Sequence, residues 1–168
     1  MKLEVVVNNK MQKGYKYYLI EPEGKNFEVG FDPELSPRQM LKLGVFGGKY
    51  MTDCENEYPE SWFREVRFSL RGFNKSLNFF GVKAGLSLTE WRKKGWIYKD
   101  DPRGWFQWYC RYYRGRRIPD EDERQIRRWR LFRRHLVALR KACIKGDLGC
   151  RKRQRQALLQ WSYDTTKE

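Results

Sequence analysis

The sequence predicts an α+β protein: an N-terminal three-stranded β-meander and loop-rich half packed on a C-terminal bundle of about three helices rich in Arg and Trp. Three short runs rich in Val, Tyr, Phe and Ile, separated by turn residues, fall within the first 31 positions. Two Ser capping boxes and two Pro-initiated segments then mark helices after them. Finally, 40% apolar residues in 168 supply enough side chains for a real core.

Leu3 to Val7, Tyr15 to Ile20 and Asn26 to Phe31 read as strands, separated by Asn8-Asn9 and Pro22-Glu23-Gly24. Ser36 caps a short helix with Pro37 at its first position and Gln39 completing the box, running to about Leu43 and stopping at Gly44. Val45 to Lys83 reads as structured loop. Ser87 to Glu90 is a second capping box, opening a helix that ends near Lys94. Asp101, as cap, and Pro102 then open a helix that closes at Gly115, with Trp105, Trp108, Tyr109 and Tyr112 as an apolar stripe. Pro119 opens a long helix to about Lys145, with acids in its first turn and Ile126, Trp129, Phe132, Leu136, Leu139 and Cys143 facing inward. A last helix spans about Cys150 to Tyr163. The organisation expected is a subdomain over 1–85, a basic helical one over 86–164 and a polar tail at 165–168.

The net charge of +15 is one region's property. Arg103 to Arg155 hold 15 Arg and 3 Lys against 5 acids, whereas residues 1 to 99 use 12 Lys and 5 Arg. Arg offers a planar fork of donors suited to phosphates and to stacking on flat rings, so a polyanion is the partner implied. The expected partner is nucleic acid, DNA slightly before RNA, with no membrane partner. The contact residues expected are Arg103, Gln107, Arg111, Arg114, Arg116, Arg117, Arg127, Arg130, Arg134, Arg151, Lys152, Arg153 and Arg155. Arg151, Lys152 and Arg153 at the positive end of the last helix oppose its dipole, a cost that bound anions relieve. Nine aromatics lie between Trp91 and Tyr113, interleaved with Arg as base stacking requires. Phe106 and Tyr113 leave the core stripe and are the stacking candidates.

Other chemistry is thinly represented. Asp100 and Asp101 are the acidic pair beside the aromatic run and are weak catalytic candidates for an enzyme that removes or modifies bases. Its place as a helix cap accounts for Asp101 fully without catalysis. A module that docks an acidic protein is a third reading. Asp53, Glu55, Glu57 and Glu60 read as solvated loop charge. His135 is the only histidine, so no metal site and no cofactor are expected. Gly44-Val45-Phe46-Gly47-Gly48-Lys49 departs from a phosphate loop in spacing and in Tyr50, and reads as a tight connection. Cys54, Cys110, Cys143 and Cys150 form no Cys-x-x-Cys and read as buried free thiols in a reducing compartment, with a Cys143–Cys150 disulfide as the alternative. With no long apolar run and no signal-like start, a soluble cytoplasmic protein is expected, in nucleoid or nucleus if it binds DNA.

The stretches GVFGGKY (44–50), DPRGWFQWYCRYY (101–113) and CRKRQRQALLQW (150–161) together resemble a family of small basic proteins of unassigned activity. The resemblance covers about residues 30 to 165 and implies no activity, cofactor or site residue.

Overall fold

The computed structural model describes residues 2–168 and shows an α+β protein. The strands β1 (Leu3–Asn8) and β2 (Lys13–Leu19) form one antiparallel hairpin in the register Leu3↔Leu19 to Val7↔Tyr15. Asn9 makes the turn, its Oδ1 accepting from the backbone of Met11 and Gln12. Val7 and Tyr17 face inward, as alternation requires.

The third strand is not formed. Asn26 and Gly30 take positive φ, 53° and 83°, which interrupts an extended run. A strand would put residues 27, 29 and 31 on one face, but Phe27 and Phe31 point inward while Val29 is 93% exposed. Phe31 sits edge-on to Trp129, with centroids 5.0 Å apart, and also meets Trp108, Tyr109 and Tyr112. Core aromatics have overridden strand propensity here.

Helices α1 (Pro37–Leu43) and α2 (Leu88–Lys93) carry both complete capping boxes. The Gly-rich connection after α1 is a tight one. Gly44 adopts φ 86°, and a Cβ there would lie 2.0 Å from the Leu77 carbonyl oxygen. Between them the loop makes short 3₁₀ turns at Glu60–Trp62 and Lys75–Leu77.

Helix α3 (Trp105–Arg114) starts later than expected, with Gly104 rather than Asp101 at its cap. Eight of its ten residues are buried, so it is the central rod of the fold. Helix α4 (Pro119–Ala142) begins at its Pro, and Asp122 reaches back to accept from the Ile118 backbone and from Trp108 Nε1. Helix α5 (Lys152–Leu159) is shorter than expected because Arg151 enters it in a left-handed conformation, φ 51°. Leu158, Leu159 and Tyr163 close the core against Trp129, whose carbonyl accepts from Tyr163 Oη. Thr165–Lys167 form a last 3₁₀ turn with Thr165 buried.

Cys143 and Cys150 are disulfide-bonded, correcting the expectation of free thiols there. Their Cα atoms are 5.9 Å apart, so the bond folds the start of α5 back onto the end of α4. Cys54 and Cys110 are buried and free. Burial pushes the Cys54 thiol up to about 12 and Cys110 upward too, which removes them as nucleophiles. Two consequences are measurable. Denatured protein should titrate the thiols of Cys54 and Cys110 alone until reductant is added. Replacing Cys143 and Cys150 by Ser should lower the unfolding free energy by about 2–3 kcal/mol in urea, the entropy of a loop this short. Among the described residues no helix is long and apolar enough to cross a membrane.

Candidate nucleic-acid interface

The expected basic face of α3 is turned inward. A helix buried around most of its circumference must bury its cations too, and this is possible only where carboxylates meet them. Arg103 donates from both Nη atoms to Asp53, at 2.7 and 2.9 Å. Arg111 donates through Nε to Glu57 at 2.7 Å and through Nη1 to Asp101 at 2.9 Å. Arg116 makes a bidentate pair with Asp101, at 2.8 and 2.5 Å. The guanidiniums of Arg111 and Arg116 also lie over the Tyr17 ring, at 5.3 and 5.6 Å. Gln107 is fully buried and accepts from the Arg103 backbone.

Arg103, Gln107, Arg111 and Arg116 are therefore withdrawn from any surface contact. Asp53 and Glu57, expected as solvated loop charge, are their partners. Asp101 has both oxygens occupied inside the protein, so it is neither a helix cap nor free to act as a base. Asp100 is half-buried, and its backbone carbonyl accepts from Gln12 and Arg111.

Arg114 and Arg117 are half-buried and hold backbone carbonyls. Arg114 donates to the Glu57 carbonyl, and Arg117 to those of Tyr112 and Lys25 while covering the Tyr112 ring at 3.8 Å. Arg155 is fully buried and donates to the carbonyls of Cys150, Asp147, Thr165 and Glu168, clamping the turn and the chain end. It too is removed from the interface. Gln156, which had the chemistry for base reading, donates instead to the Gly44 and Val45 carbonyls. Only the first turn of α5 is open, so this helix cannot lie along a major groove. Phe106 is buried against Phe46 and Tyr50, and Tyr113 is half-buried between Trp62, Phe27 and Tyr109; Phe106 is thereby lost as a stacking surface.

What remains exposed is the outer side of α4, the turn after it and the start of α5. Arg127 pairs with Glu123 one helical turn away, and Arg130 donates to the Val29 carbonyl. Arg134, Lys141, Lys145, Arg151, Lys152 and Arg153 are exposed and, among the described residues, have no carboxylate within 4.0 Å. The disulfide ties the end of α4, which carries Lys141, to the start of α5, which carries the last three. Asp147, the acid of that turn, is engaged with the Gly149 amide. No side chain caps the first amides of α5.

Beside this patch, a groove of about 370 Å³ runs between α4, α5 and the segment from Gly85 to Trp96. Trp161, Phe132 and His135 make one wall, with Phe132 stacked on Trp161 at 4.9 Å and tilted against His135 at 4.6 Å. Trp91 and Trp96 line it as well. Arg128 lies 5.6 Å from the Trp96 ring and 5.3 Å from that of Trp161, and donates to the Trp96 carbonyl and Gln125 Oε1. Burial, with Arg124 close by, brings Arg128 down to about 10. Burial and Arg134 likewise lower His135, favouring its neutral form. Arg134 stands at the rim, and no carboxylate lines the groove.

Sequence reasoning missed this groove because its walls come from three separate segments, although Trp91, Trp96 and Trp161 all stand in the Trp- and Arg-rich stretches. Among the described residues no group of three or more His, Cys, Asp or Glu is placed to hold a metal ion. No family model, no curated protein and no solved structure matches the chain.

Proposed function

We propose that the protein binds nucleic acid through the outer side of α4 and the first turn of α5. One observation carries this reading: Arg134, Lys141, Lys145, Arg151, Lys152 and Arg153 are all exposed and none is ion-paired, while Glu168, the acid that acts on Lys145, is held by Arg140. Folding gains nothing from such a cluster, and its self-repulsion is relieved by a phosphate chain. This narrower group of cations replaces the broad Arg surface read from composition. Arg103, Arg111, Arg116 and Arg155 serve the core instead, and Arg114 and Arg117 the loops.

Affinity for labelled strands across a salt series tests the reading. With about six phosphates engaged on a duplex, log affinity should fall against log salt with a slope of roughly −5. A flat dependence, or equal affinity for poly-glutamate, would overturn it, since the latter makes the surface a dock for acidic proteins. RNA and DNA of one sequence, run side by side, assign the preferred strand.

A further inference from the structure

We propose that the groove between Trp96 and Trp161 holds one unpaired base of a single-stranded nucleic acid, an assignment that rests on the nucleic-acid reading above. Trp96 supplies the open aromatic face, the Trp161 ring being covered by Phe132 and Trp105, and the volume of about 370 Å³ lies within the range of small-ligand sites, about 300–1,000 Å³. Trp96 keeps 37% of its surface open and Leu131 62%, so flat apolar surface is offered to solvent at the mouth. The lining carries charge of one sign. Arg128 and Arg134 stand in it with no carboxylate among its walls, and Lys94 is 5.0 Å from the Trp96 ring, Glu90 and Glu121 acting on Lys94 and Arg128 from outside the groove.

A flat ring attached to an anionic backbone matches both properties at once. An aliphatic side chain would leave the cations unused, and a bare anion would leave the rings unused. Duplex bases are excluded because their faces are covered by neighbours; only an unstacked base can enter. Arg134 and Lys141 are seven residues apart on α4, two helical turns, so a strand whose base sits in the groove can run its phosphates onto the cationic patch.

The test is the affinity of short oligothymidine and of a duplex of equal length for the wild-type chain, Trp96→Ala and Trp96→Phe. Trp96→Ala should weaken the single strand roughly 5- to 100-fold and leave the duplex unchanged, and Trp96→Phe should recover most of the loss. Unchanged single-strand affinity in Trp96→Ala overturns the groove assignment while the nucleic-acid reading stands. So does an equal loss on both substrates that Phe does not recover, which marks Trp96 as structural. If the wild-type chain binds neither substrate, the function reading falls and the groove assignment with it.

Discussion

Asp101→Asn should lower the unfolding free energy by about 3–5 kcal/mol, the cost of breaking a fully buried ion pair from one side. Asp101 has no exposure and accepts from Arg111 Nη1 and from both Nη atoms of Arg116. An Asn in its place turns an amide NH₂ toward a guanidinium and leaves Arg116 with no carboxylate, since Glu57 is engaged by Arg111 and Tyr17. Asp100→Asn is the control, because its buried contacts run through the backbone carbonyl that the substitution keeps. Urea unfolding followed by Trp fluorescence reads both variants. A loss below about 1 kcal/mol for Asp101→Asn would show that the network is not the keystone of the fold, and would return Asp101 to consideration as a chemical group. The neighbouring pair adds an acid sensitivity. Arg103 holds the Asp53 carboxyl well below its ordinary range, so this pair's contribution is present above about pH 4 and is lost as pH falls toward the folded value.

Local signals were legible wherever the chain satisfies its own backbone. The Ser36 and Ser87 boxes, Pro119 at the head of α4 and the stop at Gly115 all involve partners within a few residues, and all are formed. The stripe Trp105, Trp108, Tyr109 and Tyr112 was legible from its spacing and is buried. The fate of the charges was not, because it depends on pairing across the chain. Counting 18 cations against 5 acids within Arg103–Arg155 suggests a surface too basic to be laced internally. The acids that matter lie outside that window, at Asp53 and Glu57, 50 and 54 residues upstream of their partners, and at Asp101 just before it. One signal was present: both acids stand among Tyr50, Cys54, Tyr58 and Trp62, aromatic and thiol side chains that belong to a core, and a charge embedded in such a stretch is more readily explained by a buried partner than by solvent. The same tertiary logic erased the third strand, where Phe27 and Phe31 serve α3 instead of a sheet.

Burial and exposure therefore divide the arginines into two sets that mutation can separate, and the exposed set gives the second large effect. The combined variant Arg151→Asn, Lys152→Gln, Arg153→Gln should reduce the salt slope by about 3, one for each phosphate no longer neutralised, and weaken duplex binding about a hundredfold or more near 0.05 M salt. Asn is suited to position 151, where the backbone is left-handed. None of the three side chains is paired with a carboxylate, and all stand where the α5 dipole is positive, so the variant should be at least as stable as wild type in urea. Arg116→Ala should behave in the opposite sense, losing stability by several kcal/mol with the salt slope of the surviving folded protein intact. If Arg116→Ala instead changes the slope while the triple variant does not, phosphates are reaching the α3 network through an opened form, and the outer side of α4 and α5 is not the interface.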